Sequence, residues 1–442
     1  MRGSSRIDLS KFLFYASLCV AVLGYGIAVG HYKIFPHGIL QLGKQSLFAL
    51  YEDFHMLTGA KPSAHLHEAR YEGSGVVRYD KKRMSPGLTF IASFFDDGLE
   101  MRLIKHHGEI VHRWKVSYFE IWPDPSFVQP PSLRRKNDWN ALFHGAVVGP
   151  DASVIVNVWR GLVKLDRHGN ILWKVPRMTH HSVEFASDGG FWVPGKYYLD
   201  KKSKHAPIEV PYETDMITKI SADGKIEKEI SVLDLFWKNN LLGVLFSNNR
   251  RFNPNPELDV IHLNDIDELL PSIAPAFAPQ FQAGDLLLSL REPNMLMVID
   301  PHTEIVKWYQ VGPWIQQHDA DWQPNGSITL FDNRFDNTLD GSILGGSRIL
   351  GIDPKSRKTF SLYGDKEEQH FYSDTMGDHQ VLENGNILIT ESDAGRVFEV
   401  TTTGEIVWEY INRYSDTEVA KITDALRYPA EYFTLEEWSD ED

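Results

Sequence analysis

The stretch from Met376 to Tyr410, MGDHQVLENGNILITESDAGRVFEVTTTGEIVWEY, contains the unit on which the fold prediction depends. Two short apolar strands flank the turn sequence Glu-Asn-Gly-Asn, and a second hairpin around Thr-Thr-Gly ends in a strand that carries Trp408. Asn-Gly between apolar strands is typical of a tight hairpin, because the primed turns need positive φ angles. The stretch therefore predicts successive antiparallel strands.

The same unit recurs along the chain. The hairpin with the aromatic strand appears as HHGEIVHRW (106–114), RHGNILWKV (167–175), ADGKIEKEI (222–230), PHTEIVKWY (301–309) and TTGEIVWEY (402–410), with a weaker copy, PKSRKTFSL, at 354–362. Successive hairpins with no helical period between them favour four-stranded blades around a channel over a β-sandwich. Six copies predict an all-β fold, a six-bladed β-propeller over residues 71–415.

An uncharged run of nineteen residues from Phe12 to Gly30 precedes the repeats. Its length is close to the ~20 residues that a helix needs to cross the hydrocarbon core of a membrane. Arg2, Arg6 and Lys11 come before it, so the positive-inside tendency places the N-terminus in the cytoplasm. We therefore predict an uncleaved single-pass anchor over residues 1–30, with the propeller on the extracytoplasmic side, in a periplasm or a lumen.

Two other interpretations of this N-terminal run were weighed. A cleaved signal peptide is compatible with the small residues of Ala28-Val29-Gly30, although the apolar run exceeds the usual length of a signal peptide's apolar region. Lipid attachment at Cys19 is disfavoured because the bulky Leu18 precedes it. Whether the run is an uncleaved anchor or a cleaved signal peptide, we expect the rest of the chain to be exported.

The flanking segments are predicted from their composition. Residues 31–70 are predicted to form a helical linker, because the apolar residues of QLGKQSLFALYEDFHM (41–56) have the spacing of a short amphipathic helix. Residues 416–442 are predicted to form an acidic C-terminal tail, because they end in a run of acidic side chains. The formal net charge of −15 argues against a nucleic-acid partner. A single cysteine excludes an intramolecular disulfide and a thiolate metal cluster.

Histidine recurs at one position of the repeat. His144, His181 and His318 each lie seven residues before the Asp or Asn of the following turn, and His262 and His379 occupy comparable positions. The first strand of each propeller blade lines the central channel, so residues at equivalent repeat positions converge on the axis. The pattern predicts a ring of imidazoles in the channel.

Further polar residues follow at strand-like spacings: Asn264, Arg291, Asp319, Arg334 and Arg396. Of these, Asn264, Arg291 and Arg396 are predicted to bind substrate. A site of this kind, cationic when its histidines are protonated, suits a compact oxyanion such as sulfate, phosphate or carboxylate. Two chemistries remain open at this point: three histidines could bind zinc or another transition metal, or one imidazole could act as a nucleophile.

No metal and no cofactor is predicted. Metal sites usually draw two ligands from one short spacing, and none is evident in the sequence. The adjacent pair His180-His181 does not supply one, because neighbouring residues of a strand point to opposite faces. The sequence makes no prediction of the oligomeric state.

Four segments together are similar to a known family: THHSVEFASDGGFWV (179–193), DVIHLNDIDEL (259–269) with GDLLLSLREPNMLMVIDP (284–301), QHDADWQPNGSITLFDN (317–333), and the opening of the 376–410 stretch. Over roughly 140–411 the chain resembles the arylsulfotransferases of the arylsulfate type, which are periplasmic six-bladed propellers that need no nucleotide sulfate donor. The resemblance implies ping-pong transfer of a sulfuryl group from an aryl sulfate to a phenolic or other hydroxyl acceptor through a sulfohistidine.

The resemblance also assigns roles to residues of this chain. It implies that His379 is the transiently sulfated nucleophile and that His318 and Arg334 hold the sulfuryl oxygens. His181 and His262 are implied as further oxygen ligands or as acid/base groups. The expected partners are a small aryl sulfate, a hydroxyl acceptor and, through the N-terminal helix, a membrane.

The chain departs from the bacterial members of this type, which carry a disulfide and a cleaved signal. Its acceptor is therefore expected to differ, for example a membrane-proximal glycan, a lipid or a peptide tyrosine. A non-catalytic propeller scaffold for membrane or envelope assembly is the alternative function, which a ring of histidines disfavours. A pyrroloquinoline-type dehydrogenase would need vicinal cysteines, and the single cysteine excludes them.

Overall fold

The computed structural model describes residues 9–37, 40, 43, 62, 65–95, 98–208, 210–247 and 258–434. The chain divides into one unit at Met1–Pro62 and a second at Ser63–Asp442. In the first unit, helix α1 spans Leu9–Tyr32, and its 24 residues are long and apolar enough to cross a membrane, a property that signal sequences share. Apart from Gly43, the predicted amphipathic helix of 41–56 lies outside the described residues.

The second unit consists mainly of strands. In chain order they are β1 Leu66–Glu68, β2 Gly75–Tyr79, β3 Leu88–Phe95, β4 Gly98–Ile104, β5 Ile110–Lys115, β6 Phe143–Val148, β7 Val154–Val158, β8 Leu162–Leu165, β9 Ile171–Val175, β10 Glu184–Phe185, β11 Phe191–Leu199, β12 Tyr212–Ile220, β13 Ile226–Ser231, β14 Leu258–Asp259, β15 Leu263–Glu268, β16 Leu286–Leu290, β17 Met295–Asp300, β18 Ile305–Val311, β19 His318–Trp322, β20 Ile328–Asp332, β21 Arg348–Asp353, β22 Lys358–Tyr363, β23 Asp378–Val381, β24 Ile387–Glu391, β25 Arg396–Val400, β26 Ile406–Ile411, β27 Glu418–Ala420 and β28 Ile422–Tyr428. The α-helices described in this unit are α2 Tyr118–Ile121, α3 Val232–Lys238 and α4 Leu242–Ser247, and short 3-10 turns lie at Pro131–Leu133, Asp138–Asn140, Ala274–Phe277, Glu367–Gln369, Ser392–Ala394 and Ala430–Tyr432.

These strands form six blades, which confirms the predicted six-bladed propeller. The blades are β28-β3-β4-β5, β6 to β9, β10 to β13, β15 to β18, β19 to β22 and β23 to β26. In the third blade β14 adds to β12 in parallel, and a separate two-stranded sheet joins β1 to β27. Apart from the pairing of β28 with β3, the strands named for each blade are antiparallel neighbours in sequence, as the repeated hairpins predict.

Strands from both ends of the described propeller close the ring. Strand β28 is the innermost strand of the first blade, where it pairs with β3, and β2 adds to the outside of the sixth blade. Strand β28, at Ile422–Tyr428, therefore lies in the first blade although it comes after the predicted propeller boundary at residue 415. Five of the seven residues of β28, ITDALRY, are buried, and the acidic residues near the C-terminus led to the prediction of a tail here. Strand β1 likewise lies within the predicted helical linker.

Apolar side chains fill the space between neighbouring blades. Trp114, Trp308 and Trp408, at the fourth strands of three blades, are at most 4% exposed, and each belongs to an apolar cluster. Burial of large aromatic side chains is a main source of stability in such a core. These three tryptophans are therefore structural.

Carboxyl side chains hydrogen-bond the innermost strands of different blades to one another around the channel. Asp265 Oδ2 accepts the backbone N–H of Ala320 at 2.9 Å, in the next blade. Asp424 Oδ2 does the same for Ala146 at 2.6 Å, which joins the last strand of the propeller to the second blade. Buried backbone donors need such acceptors. The bonds fix the relative register of the strands that carry the site.

Candidate functional site

A cavity of about 200 Å³ lies where the innermost strands meet. Its lining includes His144, His181, His318 and His379, and it includes the carboxyl groups of Glu184, Asp265, Asp319, Asp321, Asp378 and Asp424. Among the described residues that line it there is no Lys and no Arg. Histidines and carboxyls thus share the lining of one cavity.

Five imidazoles form what we call the histidine cluster: His144, His180, His181, His262 and His318. The ring of His181 lies at its centre, with centroids 4.8 Å from those of His144 and His262, 4.9 Å from His180 and 5.9 Å from His318. The structure therefore brings together four of the histidines predicted to converge on the axis.

The pair His180-His181 does not behave as strand residues do. Strand β10 begins only at Glu184, and His181 has a φ of 56°. The Nδ1 atoms of the two rings are 2.6 Å apart. The prediction that they point to opposite faces is wrong, because a left-handed backbone at His181 replaces the pleat on which it was based.

His262 connects the cluster to a buried ion pair. Its Nδ1 lies 2.5 Å from Asp259 Oδ2, and its Nε2 lies 3.3 Å from His181 Nε2. Asp259 also accepts from Lys196 Nζ at 2.7 Å, and Lys196 bonds Glu213 at 3.0 Å. Although burial opposes ionisation, Lys196 and His262 hold the pKa of Asp259 well below its usual range.

The histidines of the cluster are neutral at physiological pH. Burial, assisted by nearby Arg160 and Arg291, lowers the pKa of His144 and of His318 to about 3. Burial also lowers the pKa of His180 and His181 well below the usual 6.5. A neutral imidazole carries one N–H and one lone pair, so it can donate, accept or act as a nucleophile.

Three carboxyls of the cavity, those of Asp265, Asp321 and Asp378, favour their protonated form. Burial and mutual repulsion raise the pKa of Asp265, Asp321 and Asp378 well above its usual range. Burial raises the pKa of Asp424 to about 7. The predicted site, made cationic by protonated histidines, is therefore wrong: the imidazoles are neutral, and the protonated acids Asp265, Asp321 and Asp378 are hydrogen-bond donors.

His379 sits in the cavity wall with both ring nitrogens engaged. Its Nδ1 contacts Asp319 Oδ2, which also accepts the backbone N–H of His379 at 2.6 Å. Its Nε2 lies 2.8 Å from the hydroxyl of Thr329 and 3.8 Å from Asp321 Oδ2. With Nδ1–H donated to Asp319, Nε2 keeps the lone pair and accepts from Thr329.

The same three side chains, Asp319, Asp321 and His379, present ligand atoms within 4.8 Å of one another and could hold a metal ion. Two carboxylates and an imidazole are ligands that divalent cations accept. Asp319 and Asp321 lie two residues apart in one blade, a short ligand spacing that the sequence prediction overlooked, and His379 lies in the next blade.

Asn264 and Arg291 lie at the cluster. Asn264 lines the cavity, is 3% exposed and donates from Nδ2 to the carbonyl of Gln317 at 2.7 Å. Arg291 bonds Glu292 at 2.6 Å and Gln316 at 2.9 Å, and its charge helps to lower the pKa of His318.

Arg334 and Arg396 lie outside the cavity lining. The guanidinium of Arg334 is 3.8 Å from Asp365. Arg396 bonds Glu409 at 2.7 Å and Glu391 at 3.1 Å within the sixth blade. Its predicted substrate-binding role is not supported by this position, because strand β25 is not the innermost strand of its blade.

Sequence reasoning missed Asp215, Asp259 and Lys196, which support the histidine cluster from strands β12, β14 and β11. No repeat signal marks them, because Lys196 and Asp215 lie in the strands that flank the insert between β11 and β12, and Asp259 lies in β14, which follows the helices after β13. Thr329, which bonds His379, was also missed. Its place in the quoted 317–333 segment was the available signal.

Comparison with known proteins gives one family and distant structural matches. The family model described as arylsulfotransferase (ASST) matches residues 148–413, more than half of the chain. A protein of unknown function from Bacteroides caccae is 11% identical with a TM-score of 0.49, covering 77% of this chain and 98% of its own. Virginiamycin B lyase from Staphylococcus aureus is 13% identical with a TM-score of 0.35, covering 61% and 70%. At these identities and scores the structural matches carry no functional inference, and no curated protein matches the sequence significantly.

Proposed function

The chain belongs to the arylsulfotransferase (ASST) family, and from that premise we propose that it moves a sulfuryl group from an aryl sulfate to a phenolic or other hydroxyl acceptor through a sulfohistidine on His379. Family membership supports sulfotransferase chemistry in general. The observation that carries the finer proposal is the pair His379–Asp319 in the cavity wall, in which Asp319 orients the ring. The donor class, the acceptor class and the intermediate are part of the proposal.

In the first half-reaction the Nε2 lone pair of His379 attacks sulfur in line with the S–O(aryl) bond, which breaks. The aryl oxygen keeps the bonding electrons and leaves as the phenol once it has gained a proton. Asp319 accepts the Nδ1–H and stabilises the positive charge that develops on the ring. Thr329 must turn from Nε2, and its hydroxyl is then free to donate to a sulfuryl oxygen.

Sulfuryl transfer resembles phosphoryl transfer, in which a loose transition state needs positioning and charge stabilisation. We assign the sulfuryl oxygens to His318 and to the neutral carboxyls. His318 Nδ1 is held by Asn333 Oδ1 at 2.8 Å, so its Nε2 must take up a proton to donate. A bound sulfate favours that step, because a neighbouring anion raises a histidine's pKa. Arg334 is not included, since it pairs with Asp365.

The second half-reaction reverses the first. The acceptor hydroxyl loses its proton to a base in the histidine cluster and attacks the sulfur of the sulfohistidine, and the N–S bond breaks to regenerate the lone pair on His379. We further propose an uncleaved N-terminal anchor with the propeller on the extracytoplasmic side. The length of α1 and the basic residues Arg2, Arg6 and Lys11 support that topology.

The test is turnover of p-nitrophenyl sulfate by the full chain in detergent, with and without a phenol acceptor. Wild type should release nitrophenol in an acceptor-dependent manner, and His379→Ala should not. The matched control is His302→Ala, at an exposed turn residue, which should turn over as wild type does. If no aryl sulfate is turned over with any acceptor, the non-catalytic scaffold is the better account.

A further inference from the structure

A continuous line of side chains runs through the histidine cluster from Asp259 to Asp215. It passes from Asp259 to His262 at 2.5 Å, from His262 to His181 at 3.3 Å, and from His181 to His180 at 2.6 Å. His180 Nε2 then lies 3.6 Å from Asp215 Oδ1. Only His181 and His262 were predicted as site residues, and nothing in the family match accounts for the others.

The proton positions in this line follow from its Asp259 end. Asp259 also binds Lys196 and is ionised, so it can only accept, and His262 Nδ1 must carry a hydrogen. Neutral His262 then has a bare Nε2, to which His181 donates its Nε2–H. Neutral His181 has a bare Nδ1, which receives the Nδ1–H of His180. Each step is forced, because a neutral imidazole has one donor and one acceptor.

The line ends at an acceptor that lacks a partner. His180 is 3% exposed, and its bare Nε2 has no hydrogen bond among the described residues. Asp215 is fully buried, and burial raises its pKa to about 7 in spite of Lys196 nearby. Near neutral pH this carboxyl is therefore partly protonated, with its proton slightly beyond hydrogen-bonding distance of His180 Nε2.

We propose that Asp215 and His180 are positioning residues of a buried proton relay that ends at His181, the group that protonates the leaving phenolate. The inference rests on the proposed function. When the S–O bond breaks, His181 Nε2–H passes to the aryl oxygen, His180 Nδ1–H passes to His181 Nδ1, and the Asp215 proton passes to His180 Nε2. Asp215 becomes a carboxylate. The proton of the acceptor hydroxyl returns along the same line in the second half-reaction, so protons balance over the cycle.

The charged and titratable side chains around the relay favour proton transfer from Asp215 toward His181. Lys196 and Arg160, with their partners Glu213 and Asp259, place fixed charge beside His180. Two cations near His180 disfavour a resting imidazolium, so the stored proton stays on Asp215. His144 and His318 face His181 and are themselves neutral.

Asp215 also accepts hydrogen bonds from the backbone, and a suitable variant must keep this role. Its two oxygens accept the backbone N–H groups of His262 and Leu263, each at 3.1 Å. Asp215→Asn keeps an oxygen acceptor and a similar shape but removes the transferable proton. His180→Gln interrupts the relay at the next link and serves as a second variant in case the first one misfolds.

The experiment compares two donors that differ in the basicity of the leaving phenolate. Nitrophenolate leaves readily without a proton, whereas the phenolate of phenyl sulfate needs one. General acid catalysis contributes about 10²-fold or more, so Asp215→Asn should lose about 10²-fold in kcat/KM on phenyl sulfate and less than about 2-fold on p-nitrophenyl sulfate. The matched control is Asp332→Asn, at a buried carboxylate in the fifth blade, which should not separate the two donors.

Equal loss on both donors, or no loss on either, in both relay variants would overturn the relay while leaving the proposed function intact. If wild type turns over neither donor, the proposed function fails, and the relay fails with it. Thermal unfolding of each variant shows whether it is folded before its kinetics are compared.

Discussion

Asp424 ties the last strand of the propeller to the second blade, and replacing it with asparagine should change how stability depends on pH. Its Oδ2 accepts the backbone N–H of Ala146 at 2.6 Å, and it is 8% exposed. Burial raises its pKa to about 7, with the carboxyls of Asp378 and Asp319 close by. Asparagine keeps an acceptor for Ala146 and has no proton to lose.

The size of this pH dependence follows from the raised pKa of Asp424. An unfolded aspartate titrates near 3.9 and the folded one at about 7, so the folded state holds a proton that the unfolded state has released between about pH 4 and pH 7. Wild-type stability therefore falls as the pH rises through that window, by at most about 4 kcal/mol. The neighbouring carboxyl of Asp378 titrates in the same environment, so replacing Asp424 alone recovers only part of this free energy. We expect the free energy of unfolding of Asp424→Asn to exceed that of wild type by about 2–4 kcal/mol between about pH 4 and pH 8.

The assay is urea unfolding of the full chain in detergent, followed by tryptophan fluorescence at several pH values. Asp416→Asn, at an exposed position near the start of β27, is the control and should track wild type throughout. A difference between Asp424→Asn and wild type that does not vary with pH would refute the linkage. A variant less stable than wild type at about pH 8 would refute the electrostatic argument altogether.

Three further outcomes follow from the site. Arg396→Ala should lower the free energy of unfolding by about 3 kcal/mol, since Glu391 and Glu409 then keep only the longer contacts to Arg70 (3.3 Å) and Arg78 (3.9 Å); a raised KM with unchanged unfolding would contradict this structural role. The kcat/KM for an aryl sulfate should fall above about pH 7, because the cavity carboxyl of Asp424, whose pKa is about 7, becomes an anion that repels the donor; a rise with pH would contradict it. Added Mn²⁺ or Zn²⁺ should inhibit turnover and EDTA should restore it, because a cation held by Asp319, Asp321 and His379 would occupy the nucleophile; activation by the metal would contradict the assignment.

The fold was predictable because one local pattern repeats. Each hairpin is specified by its own turn and its own alternation of apolar residues, as around Asn384 and Gly404. Ring closure was not predictable from such local signals. Strand β28 pairs with β3 across most of the chain, and nothing in its own sequence marks the first blade as its partner.

The position of the candidate site could be predicted from the sequence, but its charge could not. The histidine spacing placed His144, His181, His262 and His318 near one axis, since equivalent repeat positions converge. The protonation of that site depends on burial, which the spacing does not report. Burial leaves the imidazoles neutral and favours the protonated forms of Asp321 and Asp378, so the histidines do not make the site cationic.

Backbone conformation explains why the side chains of His180 and His181 do not point to opposite faces as predicted. A left-handed residue at 181 turns two adjacent rings toward each other, and period-two reasoning fails wherever the strand has not yet begun. The ion pair of Lys196 with Asp259, which sets the tautomers of the cluster, joins strands β11 and β14, whose pairing with β12 is a property of the folded blade.

The most direct test of the account is to trap the sulfated enzyme and find the residue that carries the group. The full chain is incubated with p-nitrophenyl sulfate without acceptor, quenched under alkaline conditions, digested and analysed by mass spectrometry. The account predicts one added SO₃ on the peptide that contains His379, its loss on addition of a phenol, and its absence in His379→Ala. Acceptor-dependent turnover with the group on another residue, or with no sulfated peptide, would contradict the assignment of His379 as nucleophile.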